Sequence, residues 1–216
     1  MANRSKKHLP RRIVIYTYED GMMLDVVGPS DVFSTANQVV AYTDNAPAPY
    51  VIEVIANQTG PVTMSNGIQM IAASAFREVK GPIDTLIFAG GSEQGIREAE
   101  KDPALRPWIK RKADTVKRLA SVCSGAFFLA RAGLLDGHRA TTHWVACERL
   151  AADHPKIDIV DDAIYVKSED TYTSAGVSAG IDLALAMVEE DLGRDVAMHV
   201  ARHLVLFLRR PGGQSQ

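Results

Sequence analysis

The stretch KRLASVCSGAFFLARAGLLDGHRATTHW, residues 117–144, narrows the folds open to this chain more than any other. A short apolar run over residues 119–122, flanked by basic residues, reads as a buried strand. Cys123-Ser124-Gly125 follows with no spacer, and residues 126–130 continue as an apolar, helix-forming segment that stops at Gly133. Strand, abrupt turn and helix, with a nucleophilic side chain at the turn, is the arrangement of a nucleophile elbow. Small residues after the cysteine suit so sharp a reversal. The turn would aim backbone N–H groups at whatever the sulfur holds, and a helix N-terminus favours a thiolate. The alternative is that Cys123 is a small core hydrophobe, since free cysteine is among the most buried residue types.

Strands and helices alternate around this stretch. Residues 12–18, RIVIYTY, are β-branched and aromatic enough for a first strand. Pro29 sits where a helix tolerates proline in its first turn, ahead of apolar positions at Val32, Phe33, Ala36 and Val40. Asp25 therefore falls in a loop or first turn beyond a strand's carboxyl end, where open α/β sheets place ligands; it could equally cap the helix. Residues 50–56 read as a second strand, residues 62–64 and 68–72 as a hairpin around Asn66-Gly67, and residues 84–89 as a central parallel strand ending in Gly90-Gly91-Ser92. Residues 139–142, 163–167 and 171–174 read as further strands. Helices are expected through Ile96, over 108–116 and 143–152, up to Glu190, and over 195–208. The alternation predicts a three-layer α/β/α sandwich with a mostly parallel, flavodoxin-like sheet.

The 216 residues, 46% hydrophobic, allow one sizeable core. A net charge of -2 gives no global field for nucleic acid or membrane. Arg4, Lys6, Lys7, Arg11 and Arg12 cluster within residues 1–12, and residues 1–11 are expected to be a disordered basic tail. No apolar run approaches a membrane span, and the start lacks the apolar region of a signal peptide. Two cysteines are too few for a disulfide framework, so a cytoplasmic protein with reduced thiols and no membrane partner is expected. No P-loop or dinucleotide fingerprint is present, and no cofactor is expected. His199 and His203 are spaced to share a metal but lack further ligands nearby, so no metal is expected either.

Asp25, Gly90-Gly91 and Cys123-Ser124 should converge on the carboxyl edge of the sheet. The chemistry would be a thiolate beside a carboxyl group, with the N–H groups of Gly91 and Ser124 cradling an oxyanion or carboxylate. A protonated Asp25 could donate a hydrogen bond to the sulfur, whereas an ionised one would raise the cysteine pKa. Ser124 stands where a base such as histidine would follow the nucleophile. His143, after Thr141-Thr142, is either a catalytic base or the cap of the helix that starts there. Cys147, mid-helix, reads as packing.

LDVVGP at 24–29, the Ala89-Gly90-Gly91 turn, VCSGA at 122–126, AGLLDG at 132–137, RATTHW at 139–144 and TSAGVSAGID at 173–182 carry a resemblance in their order. Together they resemble the PfpI-type branch of the class I glutamine amidotransferase-like superfamily. The resemblance implies one domain over residues 12–210. Two relatives in the branch share these blocks: isocyanide hydratase, and the N-terminal sensor domain of AraC-type transcriptional regulators. Residues 200–205 and 210–216 are similar to the join between sensor and helix-turn-helix domain in those regulators. The chain is therefore expected to be such a sensor domain, homodimeric, and not an enzyme. It would reach DNA only through a C-terminal helix-turn-helix domain absent from this chain, with residues 211–216 beginning the linker. A small-molecule ligand would sit in the Asp25–Cys123 pocket, with Gly91, Ser124, Thr142 and Gly176 binding it or holding an oxyanion. The alternative implied is an isocyanide hydratase-like enzyme, a cysteine-dependent lyase with Cys123 as nucleophile and Asp25 as its partner. Proteases of the branch carry histidine after the cysteine, so Ser124 argues against proteolysis.

Overall fold

Runs of β-branched and aromatic residues become strands, and the segments with apolar residues three and four apart become helices laid over them. The computed structural model describes residues 9–215. The chain opens with β1 (Arg11–Tyr16), α1 (Met23–Asp44) and β2 (Tyr50–Ala56), then β3 (Gly60–Thr63), β4 (Gln69–Ala72) and the short β5 (Ser74–Ala75). It continues through β6 (Thr85–Phe88), α2 (Glu93–Glu100), α3 (Leu105–Ala113), β7 (Arg118–Val122), a 3₁₀ turn at Cys123–Gly125 and α4 (Ala126–Arg131). The last part holds β8 (Arg139–Ala140), α5 (Trp144–Asp153), β9 (Asp158–Ile159), β10 (Tyr165–Ser168), β11 (Thr171–Ser174), α6 (Ala179–Leu192) and α7 (Arg194–His203).

Seven strands form one sheet in the order β10-β11-β7-β6-β1-β2-β5, all parallel except the β10–β11 pair. Strand pleating sorts the side chains. Ile13 and Ile15 of β1 and Ile87 of β6 enter the core beneath α1, α6 and α7, with Phe33, Leu185 and Val200. Val14 and Tyr16 of β1 and Leu86 and Phe88 of β6 enter the opposite core with Ile96, Trp108 and Phe128. Both faces are covered, which is why β1, β6 and β7 read as nearly unbroken apolar runs. Each fully buried Phe or Leu here contributes about 2 kcal/mol. The result is the three-layer α/β/α sandwich with a mostly parallel, flavodoxin-like sheet.

At the amino ends of the strands a buried ion network ties the sheet to α6. Arg118 pairs with Asp191 at 2.6 Å and Asp84 at 3.0 Å, and the Tyr50 hydroxyl donates to Asp191 at 3.0 Å. The carboxyl ends are arranged differently. The chain leaves β1 towards β2 and β5, then returns to β6 on the other side of β1. That reversal opens a crevice at the carboxyl ends of β1 and β6, where such sheets bind ligands.

Several elements depart from the expectations. The first helix starts at Met23, before Pro29, and carries the proline inside it. The proline removes one N–H from the ladder, but buried Val26, Val32, Phe33 and Ala36 hold the helix on the sheet regardless. The last helix stops at His203 instead of running to residue 208, because Val205 turns left-handed at φ 56°. The two-residue strands β5 and β9 had no sequence signature. The expected basic tail falls mostly on residues 1–8, outside the described residues. Among the described residues no helix is long and apolar enough to cross a membrane.

Candidate functional site

The site is centred on the loops at the carboxyl ends of β1, β6 and β7 and braced by the segments that follow β8 and β11. Gly21, after β1, bridges to Gly91 after β6, and the Met22 amide donates to the Gly90 carbonyl at 2.8 Å. This pairing sets the start of α1 so that Asp25, in its first turn, points into the sheet edge. Asp25 is fully buried and caps nothing in its own helix. Its Oδ2 accepts the Gly90 amide at 3.0 Å and its Oδ1 accepts the Val177 amide at 2.7 Å.

Cys123 follows β7 directly with φ 56°, in the left-handed region that a residue with a side chain rarely adopts. This is the strained elbow that Cys123-Ser124-Gly125 led one to expect. Several contacts hold it. The Thr142 hydroxyl donates to the Cys123 carbonyl at 2.8 Å. Gly176, itself at φ 91°, lies so close that a Cβ there would overlap both Cα and Cβ of Cys123. At Gly90 a Cβ would fall 2.6 Å from Cys123 Cβ and 2.8 Å from Asp25 Oδ2. Bare backbone on two sides lets thiol and carboxyl meet in a space no larger residue would leave.

The thiol and the Asp25 carboxyl are immediate neighbours across Gly90, and each shifts the other's titration. Burial raises Asp25 to about 7, partly offset by the Val177 and Gly90 amides and the thiol. Burial, then the neighbouring carboxyl, pushes Cys123 up to about 12, against the smaller pull of the Ser124 amide and hydroxyl. This corrects the expected thiolate: α4 spans six residues, and what its N-terminus offers a thiolate is outweighed by burial and the carboxyl. Near pH 7 the sulfur keeps its proton. Tyr18 is a neighbour of both. Burial first, then Tyr16, Asp25 and Cys123, hold its phenol well above the usual tyrosine range.

The expected ligand-binding residues are divided by the structure. Gly91, Cys123 and Ser124 line a cavity of about 250 Å³, but Thr142 and Gly176 lie behind the thiol and brace it. The Gly91 amide donates to Ser124 Oγ at 2.9 Å, and that hydroxyl donates to the Gly91 carbonyl at 2.8 Å. Gly91 would reach an oxyanion only by giving up this bond, whereas the Ser124 amide already faces the sulfur. His143 lines the cavity as the N-cap residue of α5, without a capping side-chain bond, and burial lowers its pKa. Cys147 is buried, its thiol 3.5 Å from the Thr142 carbonyl.

Sequence reasoning missed the cavity's outer parts: Glu93 of α2, Phe127 and Arg131 of α4, and Arg149 of α5. Only Phe127 and Arg131, four apart on one short helix, left a trace in the sequence. Residues 210–215 return over the same edge of the molecule. Arg210 Nε pairs with Asp182 at 3.0 Å, and the Gln214 side-chain amide donates to the carbonyls of Asp161 at 2.8 Å and Thr142 at 3.1 Å.

The sequence profile of the DJ-1/PfpI family matches residues 11–190. The chain is 31% identical to isonitrile hydratase of Pseudomonas putida over 181 residues, 84% of this chain and 72% of that protein. It is also 31% identical to the HTH-type transcriptional regulator CdhR of Pseudomonas aeruginosa over 162 residues. That match covers 75% of this chain and 47% of the regulator, so the chain spans about half of that relative's length. Among solved structures, a THiJ/PfpI family protein from Pseudomonas syringae superposes with a TM-score of 0.80 at 25% identity, over 98% of this chain and 83% of that one. Sheet order, elbow and profile agree, and the chain belongs to the DJ-1/PfpI family.

Proposed function

We propose that this domain is the ligand-sensing N-terminal part of an AraC-type transcriptional regulator, holding a small molecule over Cys123 and acting on DNA through a separate helix-turn-helix domain. The observation that carries the reading is the cavity of about 250 Å³ floored by a thiol that burial and Asp25 keep protonated. A protonated thiol is a weak nucleophile but a serviceable donor and packing surface for a bound molecule. Similarity to CdhR over 47% of that regulator supports the same reading. Exposed Val205 and Phe207, just past α7, offer a further domain an apolar face. A homodimer is part of the proposal, with sedimentation velocity as its check.

A second reading is favoured by the closeness of the Cys123 thiol and the Asp25 carboxyl and by the 31% identity to isonitrile hydratase. The sulfur would add to the terminal carbon of an isocyanide while the thiol proton passes through Asp25 to that carbon. Water would then add to the resulting thioimidate and expel the thiol, leaving an N-formyl amine.

Steady-state turnover of phenyl isocyanide, with Cys123→Ala as the blank, separates the two. The sensor reading expects no turnover above the blank and no sequence-specific DNA shift by this chain alone. Turnover that disappears in Cys123→Ala would overturn it in favour of the hydratase.

A further inference from the structure

We infer that the molecule held over Cys123 is a small carboxylic acid, its carboxylate received at the cavity mouth by Arg149 and Arg131. The inference rests on the reading of this cavity as a binding site and adds the chemical class of its ligand. The floor, formed by Cys123, Ser124 and Gly91, holds no guanidinium or ammonium group, and its thiol stays protonated near pH 7. The charge lies at the mouth. There the guanidinium carbons of Arg131 and Arg149 stand 5.4 Å and 5.3 Å from the centroid of one ring, Phe127. Stacking on a shared aromatic fixes both planar groups over the cavity, the state in which arginine binds carboxylates most effectively.

The surrounding ion pairs leave room for an incoming anion. Arg131 is anchored from behind by Glu100, and Arg149 from outside by Asp153 at 3.4 Å. Glu93, which lines the same cavity, pairs with Arg149 and also with Arg97. A ligand carboxylate can therefore take the place of Glu93 on Arg149 while Glu93 keeps Arg97. This network sets Arg97, Arg106, Arg131 and Arg149 against Glu93, Glu100 and Asp153, one positive charge in excess. An ammonium ligand would have to approach two fixed guanidiniums. The volume, about 250 Å³, lies under the roughly 300–1,000 Å³ range of sites for drug-sized ligands and suits a short acyl or single-ring body against Phe127 and Ile96.

The test is calorimetric titration of the chain with butyrate, 3-methylbutyrate and benzoate, each beside its primary amide, and with benzylammonium. At least one acid is expected to bind about ten-fold more tightly than its amide, the worth of one charge-assisted contact. Arg149→Met, which keeps the aliphatic stack on Phe127, and Arg131→Met should each weaken the acid by a similar factor. Glu93→Gln, which frees Arg149, should tighten it. Amide or benzylammonium binding as tightly as the acid, weaker acid binding in Glu93→Gln, or no acid binding at all overturns the inference. Ala146→Trp, a cavity-filling change at a half-buried helix position checked by circular dichroism, separates the two layers of argument. Binding of any probe that survives it lies elsewhere and removes the site reading itself; amide binding that it blocks removes only the acid.

Discussion

Asp25 Oδ1 accepts the Val177 amide at 2.7 Å, joining the first turn of α1 to the segment that opens α6. The carboxyl is enclosed there and raised to about 7 by burial. An unfolded aspartate titrates near 3.9. Between those values the folded chain holds a proton that the unfolded chain has lost, so this group's contribution to stability falls as pH rises from about 4 to about 7. The loss amounts to roughly 4 kcal/mol. Asp25→Asn removes it. Urea denaturation of both proteins from about pH 4 to about pH 8 should show their difference moving in favour of the variant by that order. A flat difference would mean that Asp25 is not raised.

Gly176→Ala is expected to cost about 3 kcal/mol or more, because the residue sits at φ 91° and its new methyl would strike Cys123. For a chain of this size that is a fall in Tm of about 6–12 °C. Gly133→Ala is the control. It meets the same backbone strain at φ 74° with nothing within 4 Å, and should lose about 1 kcal/mol. Equal losses at the two positions would refute the close approach of Gly176 to the thiol-bearing turn.

Asp191→Ala leaves the Arg118 guanidinium, 2% exposed, with Asp84 as its remaining carboxylate. The expected loss is about 3–5 kcal/mol by urea denaturation, with much of it recovered in the double variant that also carries Arg118→Met. The network lies at the amino ends of the strands, so the alkylation rate of Cys123 at fixed pH should stay as in the wild type. A changed rate would show that the two ends of the sheet are coupled.

The elbow was legible because it is local: strand, Cys123-Ser124-Gly125 and helix follow one another within a dozen or so positions. The parallel core was legible for a related reason, since strands covered on both faces advertise themselves as unbroken apolar runs. Asp25 could be placed only to a loop or first turn, because its proximity to Gly90 and Val177 spans the whole domain. The thiol's protonation was misread from local helix geometry, when burial decides it. The pairing of the mouth arginines was invisible for the same reason as the Asp25 contacts. Glu93, Arg131 and Arg149 come from three helices that meet only after the sheet has formed. Residues 204–208 looked helical by composition, and one left-handed residue, Val205, ended the helix there.

Thr142 carries two loads at once. Its hydroxyl holds the Cys123 carbonyl, and its own carbonyl holds the Gln214 side chain. The peptide bearing the thiol and the Gln214 side chain are therefore joined through a single residue that belongs to neither apolar core. The cavity and the trailing segment of the chain are, in that sense, hung from the same peg.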